Sequence, residues 1–165
     1  MAIATPRTWV VGEVVTAAYM NAEIRDQWLD VLAAWVTYTP VWTASVNPSL
    51  GNGSIVGRSK KIGRLVNFQI DLTMGTTTTY GTGAWSITLP FQAAASSGSR
   101  VGNAQALGGS RFGGQVIVSP GASGVGAFFP ASSAVSNYSS AAAAVPFAWA
   151  SGNELRITGV YESAT

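Results

Sequence analysis

Neither cysteine nor histidine occurs among the 165 residues. That double absence excludes disulfide scaffolds, thiolate nucleophiles, the usual zinc sites and a Ser-His-Asp constellation, so neither a metal nor an organic cofactor is expected. Charge is also scarce, with nine Lys plus Arg against seven Asp plus Glu and a formal net of +2. So small an excess gives no electrostatic case for nucleic acid or for an anionic membrane. From residue 75 to residue 153 there is no carboxylate, and the cations are Arg100 and Arg111. A long run of Gly, Ser, Ala and Thr of this kind suits surface that packs on protein or lines extended loops. No segment approaches ~18 uninterrupted apolar residues, and no charged n-region leads into an apolar h-region. Neither membrane insertion nor a classical secretory signal is expected, which points to synthesis in a cytoplasm.

Alanine inflates the nominal hydrophobic share of 47%. Val, Leu, Ile and Phe together make up a little under a quarter of the chain, enough for a small core. A modest core is commonly supplemented by association. The length suits one domain with a short appendage, divided here as an arm and helix over 1–38 and a β-domain over 39–165.

The appendage is "WVVGEVVTAAYMNAEIRDQWLDVL", Trp9 to Leu32. Thr16 is placed to cap a helix, its hydroxyl accepting from a free N–H of the first turn. Met20, Ile24, Trp28, Val31 and Trp35 then recur at helical spacing and define one apolar stripe, with Glu23, Arg25, Asp26 and Asp30 elsewhere. The period lies close to 3.5, which suits a seam between symmetry mates. The alternative is a helix laid across its own sheet with the tryptophans plugging the sheet's end. A helix of this length is marginal by itself, so one of these partners is required.

From residue 39 the apolar period falls to two. In "LVNFQIDLTM" Val66, Phe68, Ile70, Leu72 and Met74 alternate with polar residues, and "GAWSITLP" and "ELRITGVY" repeat the pattern. Shorter candidates are "PVWTASV", "SIVGRSKKIG", "RVGNAQAL", "GQVIVS" and "VGAFFP", each bounded by turn formers. Closely spaced strands without intervening helices predict a mainly β fold, an antiparallel β-sandwich of jelly-roll type. "AAASSGS" and "SNYSSAAAAV" fit either long loops or weakly patterned edge strands.

Few residues invite chemistry. "GSIVGRSK" has one residue too few between its glycines for a phosphate loop, and Arg58 stands where that loop needs Lys. Asp71, Glu154 and Glu162 are the carboxylates of the β-region, and no spacing sets them across a cleft as glycoside cleavage requires. No enzyme activity is expected. The basic cluster Arg58, Lys60, Lys61 and Arg64 could touch phosphate or an acidic glycan, or could be a solvated hairpin whose charges keep sheet edges apart. Tyr80, Phe112, Tyr138 and Trp149 lie in or beside loop-like segments, where exposed rings would stack on sugars such as a host cell-surface glycan; Phe128 and Phe129 read as core.

The segment "TPRTWVVGEVVTAAYMNAEIRDQWLDVL", residues 5 to 32, resembles the opening of many small structural proteins of tailed bacteriophages, especially those infecting actinobacteria. The following "YTPVWTASVNPSLGNGSIVGRSKKIGRLVNFQIDLTMGTTTTYGTG" is similar to β-domains of phage tail fibres and minor tail proteins, through its Y-T-P-x-W start, G-N-G turn and K-x-G-R-x-V hairpin. The likeness fades beyond about residue 90. It implies a virion component on the tail or capsid surface, often a homotrimer, whose N-terminal segment joins other virion proteins while the β-domain faces a host. The fibrous repeats of long tail fibres are absent here, so a capsid decoration protein or head spike that stabilises the shell is the other implication.

Overall fold

The computed structural model describes residues 5–95, 98–132 and 135–165. Strands hold 46% of the chain and helix 10%, so the fold is mainly β, with one short N-terminal helix. That helix spans residues 17–32 as α1 (Ala17–Met20), a π turn (Asn21–Arg25) and α2 (Asp26–Leu32). Ten strands follow among the described residues: β1 (Val36–Tyr38), β2 (Trp42–Thr43), β3 (Ser54–Ile62), β4 (Leu65–Thr73), β5 (Ser86–Thr88), β6 (Arg100–Gly108), β7 (Ser110–Val118), β8 (Gly124–Ser132), β9 (Val135–Ser140) and β10 (Glu154–Glu162).

The strands follow one hydrogen-bonded path, β1-β3-β4-β10-β6-β7-β8-β5-β2, with β9 also on β8, and every pairing is antiparallel. An antiparallel β-sandwich of jelly-roll type was expected; the strands form a single curled antiparallel sheet. Its continuity rests on β8, which pairs with β7 along one edge and with β5 and β9 along the other. Strand β4, third along the path, shows how the register is held. Val66, Phe68, Ile70 and Leu72 are wholly buried on one face, while Asn67, Gln69 and Asp71 occupy the other. Because the side-chain period is two, a one-residue slip would exchange these faces, so burial fixes the register with β3 and β10. The sheet wraps a single core in which Phe129, Val116, Val125, Leu155 and Ile157 meet the β4 face.

Two glycines set local geometry. Gly63 (φ +58°) opens the two-residue turn joining β3 to β4, a backbone conformation that L side chains rarely adopt. At Gly57 a Cβ would stand 2.3 Å from the Tyr38 ring, so glycine lets β1 lie close against β3.

Strands β1 and β2 stand at opposite ends of the path, yet only residues 39–41 separate them in the chain. Thr88 joins them. The Val41 N–H donates to Thr88 Oγ1 (2.8 Å), the Thr88 N–H donates to Val41 O (3.0 Å), and the Tyr38 hydroxyl donates to Thr88 O (3.4 Å). The curled sheet thereby brings its two end strands together, β1 reaching Thr88 through a side-chain hydroxyl.

The segment 36–38, expected within the appendage, pairs with β3 and belongs to the sheet. "SNYSS" supplies most of β9, and Ala141 beyond it is buried, so half of that low-complexity stretch is structured.

Replacing Thr88 by Val removes the acceptor for the Val41 N–H at nearly constant volume. It should cost about 1 kcal/mol, or roughly 2–4 °C in Tm by thermal unfolding. Alkali should also destabilise the fold. Burial pushes the Tyr161 phenol up to about 12, opposed in part by its bond with the Phe91 main chain, and burial raises Tyr38 too. An unfolded phenol ionises near 10, so the folded chain holds protons that the unfolded chain has released. The stabilisation is complete below about pH 10 and is lost as pH rises through about 12. Melting curves between those pH values should show Tm falling, and the fall should be smaller in Tyr161→Phe.

Candidate functional site: the N-terminal arm and helix

Thr16 caps the helix as its sequence suggests: its backbone is extended, and Oγ1 accepts from the Tyr19 N–H at 3.3 Å. Ahead of it the arm folds back around Arg7. The guanidinium lies 4.0 Å from the Tyr19 ring centroid and 4.8 Å from that of Trp9, and it pairs with the Glu13 carboxylate. The Arg7 N–H donates to Glu23 Oε2 (3.2 Å) and the Val10 N–H to Glu13 Oε2 (3.2 Å). A cation held between two aromatic faces and an acid gives the arm a fixed turn.

The helix itself is inside out for a globular protein. Its one buried residue is Asp30, and its partly covered side chains are Glu23, Asp26, Gln27 and Val31. Met20, Ile24, Trp28, Leu29 and Leu32 face outward, Trp28 being 62% and Leu32 76% exposed. An isolated surface helix buries its apolar stripe and wets its polar one; here the order is reversed. The reading in which the tryptophans plug the chain's own sheet is therefore corrected. Trp35, assigned to the stripe, lies beyond the helix, which ends at Leu32 before the chain enters β1, and Val31 is half-buried.

The π turn accounts for the altered spacing. The Asp26 N–H donates to Asn21 O, one residue further back than in an α-helix. In an α-helix, successive four-residue steps drift around the axis, because 3.6 residues make a turn. A turn that takes up an extra residue reverses part of that drift and keeps Met20, Ile24, Trp28 and Leu32 along one line. Sequence periodicity alone assumes a uniform helix, so it placed Val31 and Trp35 where Leu29 and Leu32 stand.

The basic cluster resolves into named contacts. Lys60 Nζ donates to Asp30 O and, at 2.8 Å, to Ala33 O, so its charge sits on the open carbonyls where the helix dipole ends. Lys61 donates to Thr165 O and stands 4.6 Å from the Phe91 ring centroid. Arg64 donates to Ser163 O (3.0 Å) and pairs with Glu162 (3.0 Å). Arg58 is exposed. Three of the four cations thus tie elements of the same chain together, and Arg58 is left on the surface.

A cavity of about 390 Å³ opens beside the Lys60 anchor, between the end of the helix, β1, the β3–β4 turn and Pro90-Phe91. Its floor is carbon-rich, with Ala33, Ala34, Val36, Tyr38, Pro90 and Phe91 around it.

The four aromatic residues expected to face ligand do not gather. Trp149 is a core residue, its Nε1–H donating to Ala142 O (3.0 Å) and Val145 O (3.1 Å), with its ring 5.2 Å from Trp85 and 4.7 Å from Phe147. Phe112 and Tyr80 are half-buried against the same core, Phe112 stacking on Phe147 at 5.0 Å. Tyr138 on β9 is exposed. Ring-to-ring packing claimed these side chains, which residue type and neighbouring glycines could not reveal. Of the pair read as core, Phe129 is fully buried and Phe128 half-buried.

Among the carboxylates, Asp71 and Glu154 share Arg156 at 4.0 and 2.5 Å on the outer sheet face, and Glu162 belongs to Arg64. Among the described residues no group of three His, Cys, Asp or Glu could hold a metal ion, and no helix is long and apolar enough to cross a membrane. No family model, no curated protein and no solved structure matches the chain.

Lys60→Met keeps the aliphatic stem and removes both bonds to the helix end. We expect a loss of about 1–2 kcal/mol. Amide exchange should quicken selectively in residues 28–33, while the β4 and β10 amides keep their protection.

Proposed function

We propose that this chain is a non-enzymatic structural subunit of a bacteriophage particle, a minor tail or tail-fibre protein. It trimerises through its helix, joins other virion proteins through its arm, and turns its β-domain toward the host surface. One observation carries the proposal: the helix buries Asp30 at its root and leaves Ile24, Trp28, Leu29 and Leu32 in solvent. Large apolar side chains in a row are worth ~1.5–3 kcal/mol each when covered, which is the scale needed to hold a small oligomer together. Parallel helices about one rotation axis cover the same face in every copy and leave no end open for further addition. The resemblance of residues 5–32 to phage structural proteins agrees with this role.

The arm favours a second reading, a capsid decoration protein or head spike. Val10, Val11, Val14 and Val15 are exposed, and an apolar arm of this kind could pack on neighbouring shell subunits. Host-surface glycan remains a proposed ligand of the β-domain in the first reading, and Tyr138 is an exposed ring available to it.

Trp28→Asp places a charge in the centre of the exposed stripe. Sedimentation should show trimer for the parent chain and monomer for the variant, with an unchanged far-UV spectrum. A parent chain that sediments as a monomer at all concentrations would sink the trimer.

A further inference from the structure

We infer that Asn52 is a site of spontaneous covalent modification, deamidation through a cyclic imide with Gly53, and that the fold holds the reaction off by clasping the Asn52 amide. The inference is independent of the oligomeric reading above. It concerns the two turns at one end of the β3–β4 pair, residues 50–53 ahead of β3 and residues 74–78 after β4. The register sets them side by side, because Ser54 stands opposite Thr73.

The two turns interlock through Asn52. Its Oδ1 accepts from the Thr77 N–H (2.9 Å) and from the Thr77 hydroxyl (2.9 Å), while its Nδ2 donates to Thr76 Oγ1 (2.9 Å). The Asn52 N–H donates to Thr77 Oγ1 (2.9 Å), and the Thr78 hydroxyl donates to Leu50 O (2.6 Å). Glycine on each side admits so close an approach. A Cβ at Gly53 would stand 2.6 Å from Thr73 O, and one at Gly75 would stand 2.2 Å from Asn52 Oδ1. The residue after the clasping amide must therefore be glycine, and the clasp obliges an Asn-Gly sequence.

That sequence is chemically labile. The main-chain nitrogen of Gly53, after losing its proton to solvent, attacks Cγ of Asn52; a C–N bond forms, the Cγ–Nδ2 bond breaks, and the side-chain nitrogen leaves as ammonia. Water then opens the imide at either carbonyl, which leaves aspartate or isoaspartate at position 52. A following glycine has no side chain to hinder the attack. In the folded chain both reacting groups are held. The Gly53 N–H donates to Leu50 O (2.9 Å), and the carboxamide is fixed at its oxygen and its nitrogen by the opposite turn. Asn52 is nonetheless exposed, so solvent reaches it whenever the turns part, and the rate follows the local opening of the clasp. Isoaspartate carries the main chain through Cβ and lengthens the turn by a carbon. The contacts at Gly53 and Gly75 leave no room for it, so the clasp cannot close again.

The test incubates the full chain in mildly alkaline buffer at physiological temperature, folded and in urea, and follows each asparagine by peptide mapping with mass detection. In urea Asn52 should be the first asparagine modified. In the folded chain its modification should be slower by roughly tenfold or more, and Thr77→Val, which loses the hydroxyl bonds to Asn52, should recover roughly tenfold while its melting curve shows the fold retained. Thr76→Ala, which removes only the bond from Nδ2, should give a smaller acceleration and serves if Thr77→Val does not fold. Equal rates at Asn52 in the folded and unfolded chain, or folded variants that react no faster than the parent, overturn the inference. So does another asparagine reacting ahead of Asn52 in urea.

Discussion

The ammonium of Lys60 on the last carbonyls of the helix is the contact on which the rest of the appendage depends. It reaches out from β3, a strand held along its whole length by β4, and so transfers the rigidity of the sheet to the end of a helix that has little other purchase on the domain. Helix carbonyls at this end would otherwise be left to water. The cation fixes the helix at its root, where Asp30 is buried, while Trp28 one turn earlier stands in solvent.

The β-domain is organised by the complementary principle. Its interior is filled from β4, β8 and β10, and aromatic rings run from Trp42 through Trp85 and Trp149 to Phe147 and Phe112. These rings supply much of the packing that a chain rich in small residues otherwise lacks. Thr88 joins the two end strands at little cost, because residues 38 to 41 pass directly from one to the other.

The elements most legible in the sequence are those whose burial has a simple period. Strands β4 and β10 read directly, because one face of each is dry along most of its length. The N-cap at Thr16 was legible for the same local reason. Three features were not. The π turn changes the phase of the apolar stripe without any mark in residue type, which is why Leu32 and not Val31 continues it. The role of Lys60 depends on a contact between residues thirty apart in the chain. Trp149 and Phe112 lie among glycines, serines and alanines that conceal a packed cluster. In each case the deciding term is tertiary, and local pattern carries no record of it.

Strand β10 occupies the middle of the sheet, between β4 and β6, although it follows every other strand in sequence. Until it is inserted, β4 and β6 each lack a partner, and the apolar face of β4 has no continuous wall. A ribosome therefore releases the sticky appendage first and the keystone strand last, with contacts across most of the chain to be made before the interior shuts. In the proposed trimer, chains that met through the appendage would do so while their heads were still unfinished, so orderly assembly would require folding of the head to outrun encounter between chains.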